Sequence, residues 1–140
     1  MDASQPDSVG AGRSATAVLT DPAVRGRTPD QMLDDLVDVF LAAHPSGDAD
    51  AIRRAYAVAS ELHAGQMRAT GDPYIVHPLA VAEILAGYGM DEATIVAALL
   101  HDTVEDTELT LDGATEQFGA EVALLIDGVT KLDRIKFSSR

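Results

Sequence analysis

The stretch Asp91-Glu92-Ala93-Thr94-Ile95-Val96-Ala97-Ala98-Leu99-Leu100-His101-Asp102-Thr103-Val104-Glu105-Asp106 decides how the chain folds. Ile95, Val96, Leu99 and Leu100 recur at helical spacing, which predicts a helix from Asp91 to about Glu105 with that side buried. The segment then ends in charge. At 3.6 residues per turn, His101 and Asp102 lie about 100° apart around the axis. Glu105 and Asp106 follow His101 and Asp102 by four residues each, so each pair shares a face one turn apart.

Working outward, the neighbouring segments read the same way. Upstream, a helix is expected to start at Pro78, which suits the first helical position, and to end near Tyr88-Gly89. Before it, a helix from about Asp48 to Met67 uses Ile52, Tyr56, Ala59 and Leu62–His63, and Thr70-Gly71-Asp72-Pro73 breaks it. Earlier still, Met32, Leu33, Leu36, Val37, Phe40 and Leu41 form one stripe. Asp30 is the expected N-cap of that helix, and His44-Pro45-Ser46-Gly47 stops it. Downstream, Asp112–Phe118 and Ala120 to about Lys131 give two more helices. No segment reads as a sustained strand, so the expected fold class is all-α. Residues 1–29 are rich in Ser, Gly, Ala, Asp, Pro and Thr without periodicity. They are expected to form a disordered leader, because they offer little apolar surface to offset ordering entropy.

Composition narrows the function. With 140 residues and 46% apolar content the chain can build one domain with a core. It has no cysteine, which excludes disulfides and thiolate metal sites and fits a cytoplasmic setting. A formal charge of −13 opposes direct binding to nucleic acid. It is compatible with a phosphate-bearing small molecule only if a metal and a few local cations reverse the field. No apolar run approaches the roughly 18 residues of a membrane span, and the N-terminus lacks the pattern of a signal peptide.

Two histidine motifs carry the chemistry: His77-Pro78 and His101-Asp102-Thr103-Val104-Glu105-Asp106. Imidazole with carboxylate, and no thiolate, is a ligand set for a divalent ion such as Mn, Fe, Co or Zn. The plain alternative is a solvated acidic helix end. Carboxylates near a helix C-terminus meet the negative end of the dipole, and a bound cation would remove that objection.

The run Gly65-Gln66-Met67-Arg68-Ala69-Thr70-Gly71-Asp72-Pro73-Tyr74-Ile75-Val76-His77-Pro78 resembles the opening signature of the hydrolase domain of the RelA/SpoT family. Ala97–Thr107 resembles that domain's metal-binding helix, and Gly128-Val129-Thr130-Lys131-Leu132 its next landmark. The likeness covers about residues 50–135. It implies a helical bundle of the HD superfamily, here its N-terminal portion over residues 30–140. It further implies a metal, usually Mn²⁺, held by His77, His101 and Asp102, with Glu105 and Asp106 positioning and deprotonating the attacking water. The reaction implied is removal of the 3′-pyrophosphate of ppGpp or pppGpp. Arg68 matches a position that contacts the guanine nucleotide, and Lys131 is a candidate phosphate contact. Ala69 departs from the basic or polar residue found there in the family.

The family's last metal ligand is an Asp some tens of residues beyond the Val-Thr-Lys-Leu landmark, and Asp133–Arg140 contains no equivalent. The 140 residues alone are therefore expected to bind Mn²⁺ weakly and to turn over ppGpp poorly, and to expose helix faces that favour self-association. Two other readings stand beside this one: an HD-type phosphohydrolase acting on another nucleotide, and a non-catalytic interaction module. Among the remaining polar residues, His63 is expected to be a hydrogen-bonded core histidine and His44 a cap or surface residue. Gly71-Asp72-Pro73-Tyr74 is expected only to shape the turn that delivers His77.

Overall fold

The computed structural model describes residues 26–67 and 71–138. They form six helices: α1 Pro29–Ala43, α2 Asp50–Leu62, α3 Val76–Gly87, α4 Glu92–Asp106, α5 Leu111–Phe118 and α6 Ala120–Ser138. Among the described residues the only extended pairing is an isolated bridge between Met67 and Pro73, so the fold is all-α as expected. None of these helices is long and apolar enough to cross a membrane.

Helix α4 is the centre, packed by α2, α3 and α6, while α1 lies mainly on α3 and α5 on α6. The stripe legible in the sequence is the one that is buried: Ile95, Val96, Leu99 and Leu100 are each 0% exposed. Each such side chain contributes about 1.5–3 kcal/mol by leaving water, so this face fixes the rotation of α4. They meet Ile52, Ala55 and Ala59 of α2, Leu79 and Ala82 of α3, and Ile126 of α6 in one core. The stripe of α1 (Met32, Leu33, Leu36, Val37, Phe40) joins the same core, with Leu41 at its margin.

Several boundaries differ from the sequence reading. The N-cap of α1 is Thr28 rather than Asp30. Its hydroxyl accepts from Gln31 N, Gln31 Oε1 accepts from Thr28 N, and Pro29 occupies the first turn. This reciprocal capping box satisfies two otherwise orphaned amides. Asp30 instead accepts the Tyr56 hydroxyl at 2.7 Å, tying α1 to α2. Burial and that carboxylate raise the Tyr56 phenol to about 12. The expected leader reaches into the described residues only at its end, residues 1–25 lying outside them. At that end Arg27 bonds Asp35 at 2.8 Å and Glu83 at 3.1 Å, bridging α1 to α3. Helix α2 stops at Leu62, five residues short of Met67, because the chain turns through His63–Gly65 with Gly65 at φ +81°. Helix α3 begins at Val76, placing Pro78 within the first turn, where its missing amide costs nothing. Helix α6 runs past Lys131 to Ser138. A single residue, Gly119 at φ +101°, separates α5 from α6.

Helix α4 starts at the N-cap Asp91, whose Oδ1 accepts from Thr94 N at 3.0 Å and from the Thr94 hydroxyl at 2.6 Å. These donors hold the Asp91 carboxyl below the usual carboxylate range. Replacing it by alanine is expected to cost about 1 kcal/mol at neutral pH in urea unfolding. A depressed folded-state pKa means that the stabilisation is complete above the unfolded value of about 3.9 and is lost as pH falls through the folded value. The gap between wild type and Asp91→Ala should therefore narrow below about pH 4, and a gap independent of pH would contradict the charged cap.

Candidate metal centre

The turn from His101 to Asp106 is the C-terminal turn of α4, and its rotation is set by the buried stripe above it. Thr103 continues that stripe at 1% exposure. His101 and Asp102 flank the stripe and are half-buried, while Glu105 and Asp106 are exposed. No basic residue lies in this last turn, so the negative end of the helix dipole faces two carboxylates directly.

His77, His101 and Asp102 line one cleft of about 450 Å³. Its walls come from α3 (Pro78, Val81, Leu85), α4 (Thr94, Ala97, Ala98) and α6 (Leu125, Val129). His77 reaches it from the second residue of α3, directly after the connector from α2. The His101 ring faces carboxylates with both nitrogens: Nδ1 is 3.3 Å from Asp102 Oδ1, and Nε2 is 3.0 Å from Glu105 Oε2. The second approach is oblique, an ion-pair distance rather than an aligned hydrogen bond. His101 holds the Asp102 carboxyl below the usual range, against the opposing effect of burial, and His77 and His63 add to the lowering. Asp102 thus remains an anion among imidazoles, the charge state a metal ligand needs.

The structure does not bring every candidate together. Glu105 is attached to the cleft through His101, and its Oε2 also accepts the Thr130 hydroxyl of α6 at 3.3 Å. Asp106 accepts the Tyr74 hydroxyl, so the two acids one turn below His101 and Asp102 have different partners. Among the described residues no three His, Asp or Glu side chains close on one point. The expected convergence therefore exists at the level of a shared cleft and not of closed coordination. The His101 nitrogens face carboxylates of their own helix. Lys131 stands outside the cleft, exposed, 3.0 Å from Asp127 one turn back. Arg68 lies outside the described residues.

His63 is the core histidine expected. It is 3% exposed, with Nε2 3.1 Å from Thr103 Oγ1 and Nδ1 3.1 Å from Gln66 Oε1. An imidazole protonated on Nδ1 satisfies both, donating to Gln66 and accepting from Thr103. His44 caps α1, its backbone amide bonded to Phe40 O and its Nε2 near the carbonyls of Gly89 and Met90. Tyr74 is more than the turn residue expected. Its ring stacks on His63 with centroids 4.2 Å apart and planes 8° from parallel. The available signal was a phenol beside a helix start, whose hydroxyl must find a partner. A second concavity of about 460 Å³ opens between the start of α1, the end of α2 and this connector, lined by Tyr56, Ser60, His63 and Tyr74 among others. None of the candidate ligands borders it.

Residues 55–140, more than half of the chain, match the family model described as an HD domain. A protein of Mycobacterium tuberculosis named bifunctional (p)ppGpp synthase/hydrolase RelA is 57% identical over 112 residues, 80% of this chain and 15% of its own length. A guanosine-3′,5′-bis(diphosphate) 3′-pyrophosphohydrolase of Aquifex aeolicus is 54% identical over 107 residues, 76% of this chain and 15% of its own. A probable GTP pyrophosphokinase of Mycobacterium leprae is 56% identical over 108 residues, 77% of this chain and 14% of its own. The chain belongs to the HD-domain family. Within that family it fits the N-terminal HD region of RelA/SpoT proteins, and it spans about one seventh of the length of these relatives.

The Thr103 hydroxyl offers a direct check on how the site is supported. Thr103→Val keeps the shape and leaves His63 Nε2 buried without its donor, a loss expected to cost about 1–3 kcal/mol. Chemical denaturation measures it, and a neutral substitution would mean that the Thr103–His63 bond contributes nothing to stability.

Proposed function

We propose that this chain forms the hydrolytic site of a guanosine 3′,5′-bis(diphosphate) 3′-pyrophosphohydrolase, a soluble cytoplasmic enzyme of the stringent response. The observation that carries the reading is the shared cleft of His77, His101 and Asp102, with Glu105 beside His101. Two imidazoles and a carboxylate without thiolate fit a borderline divalent ion, and Mn²⁺ is the one we assign. His77, His101 and Asp102 would hold it. Such an ion would lower the pKa of a water and offset phosphate charge in a chain of net charge −13.

The chain's own residues then have distinct tasks. Glu105 accepts the proton of the attacking water as its oxygen bonds to the proximal phosphorus of the 3′-diphosphate. The bond from that phosphorus to the ribose 3′ oxygen breaks, giving pyrophosphate and GDP, or GTP from pppGpp. Thr130 donates to Glu105 and limits its rotation. Asp106 acts from the flank that Tyr74 holds. Arg68 and Lys131 are assigned to the nucleotide base and phosphates, Lys131 exchanging Asp127 for substrate. The likeness to the guanosine-3′,5′-bis(diphosphate) 3′-pyrophosphohydrolase of Aquifex aeolicus supports the substrate class.

Because the relatives are several times longer, the test uses the 140-residue chain and a form extended by about 60 residues, a rough allowance for further helices of one domain. Turnover of ppGpp is measured with and without Mn²⁺. In the extended form, Glu105→Gln is expected to lower turnover by about 10²–10⁴-fold while sparing Mn²⁺ binding, since the amide keeps the shape but takes no proton. His101→Ala is expected to abolish both. Full turnover after Glu105→Gln would remove that residue from the mechanism, and no Mn²⁺-dependent turnover in the extended form would overturn the proposal.

A further inference from the structure

We infer that Tyr74 is a positioning residue, which together with His63 clamps the connector between α2 and α3 onto the last turn of α4. The inference rests on the reading of His77, His101 and Asp102 as metal ligands and goes beyond it.

The clamp has two points of attachment. His63, buried at the end of α2, bonds Thr103 through Nε2. Tyr74, two residues before α3 begins, donates its hydroxyl to Asp106. The two rings lie face to face, so the attachments form one rigid unit rather than two independent contacts. Thr103 and Asp106 are three residues apart and share a side of α4. The unit therefore grips both ends of the last turn of α4, which follows directly on His101 and Asp102.

The connector that ends at Tyr74 also delivers His77. The backbone around this entry is tied at several points: Tyr74 N donates to Gln66 O, Val76 N to Pro73 O, and Leu79 N to Ile75 O. Two residues, Ile75 and Val76, separate Tyr74 from His77, and neither is glycine. A shift of His77 relative to His101 and Asp102 must then break either the hydroxyl contact or the stack. That spacing between two helices is what a metal site needs fixed, because a ligand displaced by a few tenths of an ångström no longer reaches a bond of about 2 Å. Packing alone would be served as well by phenylalanine at 74. The hydroxyl on Asp106 is the part that packing does not require.

Tyr74→Phe in the 140-residue chain separates these roles, since it keeps the ring and removes the donor. Mn²⁺ affinity, read by the loss of the free-ion signal in electron paramagnetic resonance, is expected to weaken about tenfold, the size of effect seen when an outer partner of a ligand is lost. Asp106→Asn should weaken it similarly. The double variant should be no weaker than either single one, because both remove the same contact. Hydrogen exchange supplies the readout independent of metal: amides of residues 103–107 and 77–79 should exchange several-fold faster in Tyr74→Phe, with the helical content unchanged. Additive losses in the double variant, or unchanged exchange at those amides, would overturn the clamp. If the wild-type chain takes up no Mn²⁺ at all, the metal reading of this chain fails, and the exchange measurement still decides the clamp.

Discussion

Burial of one face of α4 is the constraint on which the rest of the structure depends. Ile95, Val96, Leu99, Leu100 and Thr103 face the core, and they leave the helix a single rotational setting. A slip of one residue would turn every side chain by about 100°. His101 and Asp102 therefore do not choose their direction; the apolar residues one and two turns earlier choose it for them. The same stripe brings α2, α3 and α6 against one helix, so three elements far apart in sequence border the same charged turn.

That turn is electrostatically strained by its position. A helix C-terminus carries a partial negative charge, and α4 ends with Glu105 and Asp106 and no basic neighbour in the turn. The structure distributes the charge instead of cancelling it. Glu105 is taken up by His101 and Thr130, Asp102 by His101, and Asp106 by Tyr74. Asp102 and Glu105 share the His101 imidazole, whereas Asp106 has a separate donor in Tyr74. Glu105 and Asp106 remain exposed, yet each has a partner from another element of the fold.

Most of the helical architecture was legible because apolar periodicity reports directly on burial. The stripes of α1 and α4 were read residue by residue, and the core role of His63 followed from its place on the inner face of α2. What periodicity does not report is how a segment ends. Thr28 and Gln31 have the spacing that reciprocal capping needs, yet Asp30 is an equally good cap by residue type, so composition does not choose between them. The turn at Gly65 was hidden because Gln66 and Met67 are ordinary helix formers. At the site, helical spacing shows His101 and Asp102 as neighbours on α4, but their meeting with His77 in one cleft depends on the packing of α3 against α4. The parting of Glu105 from Asp106 was not legible either. Helix geometry places them side by side, and only Tyr74 and Thr130, from other elements, draw them apart.

Gly119 gives α6 the mechanics of a lever. Helices α5 and α6 meet at this one residue, whose φ of +101° L-amino acids seldom adopt. Thr130 lies eleven residues further along a nearly rigid rod, about 16 Å from the pivot at 1.5 Å per residue. A change of only about 10° at the pivot would move Thr130 by about 3 Å over that distance, the full length of its reach to Glu105. The width of the cleft wall formed by Leu125 and Val129 is thereby geared to the backbone angle of one glycine, remote from the histidines and touching none of them.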